Sequence, residues 1–202
     1  MKFVKWKILM ITCLVCLCPI LLGVSLWDKL PEVMAIHFDI NNTPDNFASK
    51  NFVVFFMPLL MLPLQIFCCV INDINSHKYG PRIKLETATK WIIPVMSIVV
   101  HSATVIYGIN DNLDIRKIAV FIVGCVFVVV GNFLPKFDYL GGEDSDKIRK
   151  INRFVGYASI IMGILFFASM FLPPVASIVC LFLLVPYAII TIVYGIFADA
   201  KK

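Results

Sequence analysis

Six long apolar segments alternate with short polar segments along the chain. They cover residues 8–27, 52–71, 91–109, 118–135, 154–172 and 175–197, and none contains Asp, Glu, Lys or Arg. A helix of about 20 apolar residues crosses the hydrocarbon core of a bilayer. A Lys or Arg at mid-membrane costs about 2.5 to 3.5 kcal/mol on insertion scales. The pattern therefore predicts an all-α integral membrane protein with six transmembrane helices and every charged residue in a loop or tail.

The composition agrees with this prediction. Of the 202 residues, 60% are hydrophobic and 15% are charged, whereas soluble domains average ~45–50% apolar and ~25% charged residues. The first apolar segment exceeds the ~7–15 residues of a secretory signal core, and no A-x-A cleavage site follows it. We therefore expect it to remain as the first helix.

The basic residues are distributed unevenly between the two sides of the membrane. Fourteen Lys and Arg lie in the N-terminal segment, residues 72–90, residues 136–153 and the C-terminal tail, whereas the opposite side has four. By the positive-inside rule, both termini are predicted to be cytoplasmic. The outer side also carries six acidic residues and a net charge of −2, the acids being Asp28, Glu32, Asp39, Asp45, Asp111 and Asp114.

One histidine lies within the apolar segments. His101 follows Ser97 by four residues, so both lie on one face of the third helix, and Gln65 of the second helix could complete a small polar patch. The imidazole is either a neutral group that holds helices together or a site for a proton or ligand. One histidine without an intramembrane carboxylate is too little for a proton pump.

No catalytic motif, phosphate-binding loop or metal-ligand pattern is present in the sequence. The seven cysteines all lie in apolar segments, and we interpret them as small buried hydrophobic residues. We predict no enzymatic activity, no cofactor, no metal and no direct contact with nucleic acid. The prolines within the spans predict kinked, closely packed helices or a broken-helix binding site of the kind found in transporters; they are Pro19, Pro58, Pro63, Pro94 and Pro186. Pro173 and Pro174 predict a tight outer turn.

The longest outer loop, residues 28–51, contains an alternating pattern. Apolar residues at positions 36, 38 and 40 alternate with His37 and Asp39, which predicts a short, half-buried strand. Residues 41–45 then predict a turn. The strand must pair with another segment, pack on the helices or accept a partner strand. His37 and Asp39 would point to one face, but two side chains do not make a metal site.

The segment between the fourth and fifth helices is basic. Ser145 or Asp144 could cap a helix in which Ile148 and Ile151 point one way. The basic side chains point towards water and lipid headgroups, and they are Lys147, Arg149, Lys150 and Arg153. This lead-in to the fifth helix is predicted to bind anionic membrane lipid or to dock a cytoplasmic partner.

Two stretches of this sequence resemble the SdpI family of bacterial membrane proteins. The first is LPEVMAIHFDINNTPDNFASK in the outer loop, where the matching residues are Leu30, Pro31, Ile36, His37, Phe38, Pro44, Asp45, Ser49 and Lys50. The second is GNFLPK, in which Gly131, Asn132, Pro135 and Lys136 match the GN-x-LPK motif of the family's C-terminal half. Further on, Arg153 and Gly156 match a later family motif, whereas the GIRTPW-like stretch of the family is absent.

The resemblance implies two regions and a function. Residues 1–71 would form the family's N-terminal domain of unknown function, and residues 72–202 its four-span region. The family protects bacteria from a secreted, membrane-active peptide toxin, and some members also signal to a cytoplasmic repressor. The implied toxin or partner contacts are His37, Phe38, Asp39, Pro44, Asp45, Ser49 and Lys50. Alternative interpretations are a small transporter using the patch around His101, and a membrane sensor of envelope stress.

Overall fold

The computed structural model describes residues 4–80, 83–136 and 145–197. In this part of the chain, six helices are long and apolar enough to cross a membrane. They are α1 (Trp6–Ser25), α2 (Met57–Tyr79), α3 (Ile83–Tyr107), α4 (Ile115–Phe133), α5 (Ser145–Ser169) and α6 (Pro174–Phe197). The predicted all-α, six-span fold is confirmed, and the chain is a multi-pass membrane protein.

Short elements connect the helices on the side that the charge distribution predicts to be outer, called the outer side below. A 3₁₀ turn (Trp27–Lys29) follows α1, and two strands, β1 (Val33–Phe38) and β2 (Pro44–Ser49), form an antiparallel hairpin. A π-helical turn (Phe52–Phe56) then leads directly into α2. The predicted tight turn between the last two spans is confirmed at Pro173, because α5 ends at Ser169, whereas Pro174 is already the first residue of α6.

The chain divides into two compact units. The first comprises Met1–Lys78 and Glu86–Ala119, and the second comprises Tyr79–Leu85 and Val120–Lys202. In the first unit, the hairpin packs on the helices through a cluster of buried apolar side chains, which are Leu30, Met34, Val53, Val54 and Val105. In the second unit, Phe166 is fully buried beside Val120, Met162 and Cys180.

Glycines bring helices close together in both units. A Cβ atom added to Gly23 of α1 would lie 2.6 Å from Cγ1 of Val54. In the second unit, a Cβ atom on Gly163 of α5 would lie 2.9 Å from the carbonyl oxygen of Gly124 in α4. Close approach of helix backbones at small residues is the usual packing of membrane helices.

The expectation that every charged residue lies in a loop or tail is wrong. α2 continues to Tyr79 and α3 begins at Ile83, so most of the predicted loop 72–90 is helical. Asp73, Glu86 and Lys90 lie in these helices and are buried. Hydropathy excludes charges from the apolar segments but does not detect charges that pair with each other at the ends of helices.

The prolines lie inside continuous helices. Pro94 has no N–H group and therefore leaves the carbonyl oxygen of Lys90 without its helical donor. The side-chain Nε2 of Gln65 in α2 donates a hydrogen bond to this oxygen at 3.0 Å. Gln65 thus replaces the missing backbone donor, as expected for proline in packed membrane helices.

Candidate functional site

The outer hairpin positions most of the residues that the resemblance singled out. Met34 pairs with Ala48 and Ala35 with Phe47, and the ladder becomes irregular at His37. The predicted strand at positions 36–40 is therefore shifted in the structure, because β1 ends at Phe38 and Asp39 begins the turn. The predicted turn at 41–45 is confirmed up to Thr43, since Pro44 and Asp45 already belong to β2.

Asp39 organises the turn between the strands. Its Oδ1 accepts hydrogen bonds from the backbone N–H groups of Asn41 at 2.8 Å and Thr43 at 2.7 Å. The backbone hydrogen bond from Thr43 is the main reason that the pKa of the Asp39 carboxyl lies below its ordinary value. Asp39 therefore stabilises the turn as an anion.

Asn42 connects the turn to the start of α4. Its φ angle is 65°, a left-handed conformation that Asn tolerates better than most residues. Its Oδ1 accepts a hydrogen bond from the N–H of Ile115 at 2.8 Å, and its Nδ2 donates to the carbonyl of Leu113 at 3.0 Å. Asp114 accepts from the N–H of Lys117 at 3.0 Å, so both side chains cap α4.

The base of the hairpin is attached to the helices by packing and by charge. Phe38 packs edge-on against Tyr107 at the end of α3, with ring centroids 4.7 Å apart. Lys50 is buried, forms an ion pair with Glu32 at 2.8 Å and lies 4.6 Å above the ring of Trp27. The hydroxyl of Ser49 accepts a hydrogen bond from the N–H of Phe52 at 3.3 Å. These three residues of the motif thus hold the hairpin in place.

His37 and Asp45 lie on the exposed part of the hairpin. His37 Nδ1 contacts Asp45 Oδ1 at 2.5 Å, and both side chains are about half or more exposed. His37 therefore interacts with Asp45, whereas Asp39 bonds to the turn. No group of three His, Cys, Asp or Glu suited to a metal ion occurs among residues 4–80, 83–136 and 145–197.

Sequence reasoning missed an apolar surface on the hairpin. Val33 and Phe47 are 58% and 53% exposed. Their register places them on the face opposite to Met34, which is buried against the helices. The segment PDNFAS shows no alternating apolar pattern, so its strand and the exposed Phe47 were not predicted. Apolar side chains that are exposed together on one face of a sheet make a candidate binding surface.

Sequence reasoning also missed a buried ionic network at the opposite end of the first unit. Lys90 Nζ and Asp73 Oδ1 form an ion pair at 2.5 Å, and both side chains are 1% exposed. Asp73 Oδ2 accepts the backbone N–H of Lys5 at 2.9 Å, and Lys5 Nζ pairs with Glu86 at 2.7 Å. The network joins the start of α1 to α2 and α3. Its signal in the sequence was the spacing of Gln65, Cys69 and Asp73, which share one helix face.

Polar residues continue along the same face of α3. Glu86, Lys90, Ser97, His101 and Thr104 are all buried and follow helical spacing. Ser97 is confirmed as a neighbour of His101, with Ser97 Oγ 3.3 Å from His101 Nδ1. Gln65 was predicted to complete this patch, but its amide nitrogen bonds to the Lys90 carbonyl and to Cys69 Sγ. This set of five residues is called the α3 polar stripe below.

The GNFLPK motif ends α4 and packs on α5. Pro135 lies in a 3₁₀ turn (Leu134–Lys136). A Cβ atom added to Gly156 would lie 2.5 Å from Cγ of Pro135. A Cβ atom on Gly131 would lie 2.6 Å from the Gly156 carbonyl oxygen. Lys136 Nζ donates to Asn132 Oδ1 at 2.7 Å. The motif and Gly156, which are 20 or more positions apart, thus form one close contact between helices.

The basic lead-in forms the first turns of α5, whose first residue is Ser145. The position before the helix is Asp144, which lies outside the described residues, so the capping of α5 by Ser145 or Asp144 stays a prediction. Arg149, Lys150 and Arg153 are exposed, and Arg149 pairs with Asp146 at 2.8 Å. Lys147 is partly buried. The predicted contact of these residues with lipid or a cytoplasmic partner remains a prediction.

Comparison with known proteins gives one match. Neither the curated proteins nor the solved structures contain a significant match to this chain. Residues 14–62 match a family described as a domain of unknown function, DUF1648, a family that includes SdpI-like membrane proteins. The matched region extends from within α1, through the hairpin, to the first turns of α2. Residues 14–62, which include the outer hairpin and the adjoining parts of α1 and α2, are therefore similar to DUF1648 domains.

Proposed function

We propose that this protein is an immunity protein of the bacterial cytoplasmic membrane that protects its host from a secreted, membrane-active peptide. The observation that carries the proposal is the outer hairpin, in which Val33 and Phe47 are exposed while the other face is anchored on the helices. An apolar surface beside anionic side chains suits an amphipathic, cationic peptide.

The charge of the outer side supports the same class of partner. The outer segments carry a net charge of −2, and the Glu32 and Asp45 side chains are 86% and 47% exposed. A cationic peptide is attracted to such a surface and repelled by a basic one. The protein would act by binding, with no catalytic step. Signalling to a cytoplasmic repressor through the basic residues of α5 is a further part of the proposal.

The experiment is survival of toxin-sensitive bacteria that express this chain when they meet peptide secreted by the source strain. We expect expression to raise the peptide concentration needed for killing. Phe47→Ser should lower that concentration about tenfold, equivalent to about 1.4 kcal/mol of binding free energy. Phe171→Ser is the matched control, since Phe171 is 88% exposed in the outer turn between α5 and α6 and lies outside the hairpin.

Transport is the second candidate function, and the α3 polar stripe is the observation that favours it, because buried polar residues in membrane helices are expensive and commonly functional. The same survival assay distinguishes immunity from transport. Protection that depends on Phe47 and survives His101→Ala supports immunity. Loss of protection with His101→Ala, but not with Phe47→Ser, would contradict hairpin binding and support transport.

A further inference from the structure

The hydrogen bonds around His101 fix the position of its proton. His101 Nδ1 lies 2.8 Å from the carbonyl oxygen of Ser97, one helical turn earlier. A carbonyl oxygen accepts only, so Nδ1 carries the hydrogen and donates it. In the neutral ring, Nε2 is then a bare acceptor. It is completely buried and has no hydrogen-bond partner.

An unpaired acceptor of this kind is unfavourable. A buried polar atom without a partner costs about 1–3 kcal/mol, and nearly all such atoms in folded proteins are paired. The neighbouring Ser97 is paired, since its Oγ donates to the carbonyl of Cys16 in α1 at 2.8 Å. Among the described residues, Oε1 of Gln65 in α2 is the other buried side-chain atom without a partner. The unpaired nitrogen therefore indicates a site that is incomplete while the ring is neutral.

The backbone of α2 offers a hydrogen-bond acceptor for a protonated His101 ring. The backbone of Met57 lies beside His101, and its carbonyl can accept a hydrogen bond from a protonated Nε2. This carbonyl follows the π-helical turn Phe52–Phe56 and precedes Pro58, which is itself buried. Turns of π-helix within α-helices are rare and occur frequently at functional sites.

We propose that His101 is a proton-binding site, in which Nε2 takes one proton from the aqueous phase. A hydronium ion gives the proton and becomes water, and the ring changes from neutral to a charge of +1. The new N–H donates to the Met57 carbonyl, while the Nδ1 hydrogen bond to Ser97 is kept. Both ring nitrogens are then paired, the Nε2–H group after an adjustment that brings the Met57 carbonyl within hydrogen-bond distance, since Nε2 has no partner in the structure.

The other ionisable groups of the α1–α3 bundle do not neutralise this charge. Lys90 pairs with Asp73 and Lys5 with Glu86, and Lys90 precedes His101 by eleven residues, about 16 Å along a helix. The remaining ionisable side chains that the structure describes in these helices are Lys7, Cys13, Cys16 and Cys18 of α1, Cys68, Cys69, His77 and Lys78 of α2, and Tyr107 of α3. The charged ring would donate one hydrogen bond from each nitrogen to a carbonyl oxygen, without a carboxylate to hold the charge, which suits a site that binds and releases a proton.

The test uses a variant in which His101 is the one histidine that remains. The chain has three histidines, and the other two, His37 and His77, are exposed. The double variant His37→Gln/His77→Gln, labelled with ¹⁵N in histidine and reconstituted in lipid bilayers, reports the protonation of both nitrogens of His101 by NMR. This experiment does not depend on the proposed immunity function, because it needs no peptide.

We expect the ring to pass from one protonated nitrogen to two as the pH falls from about 8 to 4, the range in which histidines ordinarily titrate. The triple variant His37→Gln/His77→Gln/His101→Gln, which contains no histidine, should give no such signal. A ring that stays protonated at Nδ1 alone over the whole range would overturn the proposal. A ring protonated at Nε2 alone would overturn it as well.

Discussion

Two ion pairs of similar length in this protein differ completely in burial. Lys90 and Asp73 are each 1% exposed, whereas Arg149 and Asp146 are 46% and 77% exposed. Water and salt screen an exposed pair, so it contributes about 0–1 kcal/mol to stability. A buried pair is different, because removing one partner leaves the other charge unpaired in a medium that solvates it poorly.

We therefore expect Asp73→Asn to lower the free energy of unfolding by about 3–5 kcal/mol, measured by denaturant unfolding in detergent. Asp146→Asn is the matched control and should change it by less than about 1 kcal/mol. The double variant Asp73→Leu/Lys90→Met should recover much of the loss, because it removes both charges. Equal stability of Asp73→Asn and Asp146→Asn would contradict the burial of this pair.

The turn of the hairpin should respond to pH through Asp39. Its folded pKa is lowered by the N–H of Thr43, so the anion stabilises the turn above the unfolded pKa of about 3.9. That stabilisation is lost as the pH falls through the lower, folded pKa. Hydrogen exchange, corrected for its intrinsic rate, should show protected Asn41 and Thr43 amides at neutral pH. Asp39→Ala should remove this protection, and Asp111→Ala should not. Protection that survives Asp39→Ala would contradict the stabilisation of the turn by the Asp39 carboxylate.

The chemistry of single residues explains which of the buried polar contacts could be predicted from the sequence. His101 and Ser97 were found because helical spacing alone brings them together. The role of Gln65 was not found, because it depends on which carbonyl Pro94 leaves free, and that carbonyl belongs to a different helix. Asp73 and Lys90 were assigned to a loop because hydropathy treats each charge separately, whereas burial became possible through their pairing.

Secondary elements here are joined by single side chains, and Asn42 is the clearest case. Asn42→Ala loses both the cap of α4 and the side chain that tolerates φ of 65°. We expect it to destabilise the protein by about 2–3 kcal/mol. Asn42→Gly keeps the backbone conformation and loses the cap, so it should cost about half as much. Denaturant unfolding measures both, and equal losses would show that the left-handed conformation adds no cost.

The contact of α4 with α5 gives a second test of element packing. An added methyl group at Gly131 would lie 2.6 Å from a backbone oxygen, whereas Gly195 has nothing within 4 Å. Gly131→Ala should therefore destabilise the protein by about 1–3 kcal/mol. Gly195→Ala should be neutral or stabilising by up to about 1 kcal/mol, because alanine favours helices. Thermal unfolding in detergent compares the pair; similar melting temperatures would contradict close packing at Gly131.

In the hairpin, the first strand could be predicted from the sequence and the second could not. β1 was predicted because its residues alternate between apolar and polar, although its bounds were displaced by about two positions. β2 contains Pro, Asp and Asn, which are rare in strands. It forms because it pairs with β1, which is anchored through Met34 and Leu30. Contacts distant in sequence therefore decide the second strand.

At the scale of the whole molecule, six apolar segments determine the fold. Their number and approximate bounds followed from hydropathy, because a charge inside the bilayer is costly. The helices extend beyond those segments into charged residues, and in α2 and α3 two of these residues, Asp73 and Lys90, pair with each other. The hairpin is predicted to lie on the outer side of the membrane, and the proposed binding of a secreted peptide depends on that orientation.

Labelling from one side of the membrane tests this orientation most directly. The seven native cysteines lie in the apolar segments, so the unmodified chain serves as the background for a membrane-impermeant maleimide. In intact cells, Phe47→Cys should be labelled and Lys150→Cys should not, whereas both should be labelled after permeabilisation. Labelling of Lys150→Cys but not Phe47→Cys in intact cells would place the hairpin in the cytoplasm and contradict its role in meeting a secreted peptide.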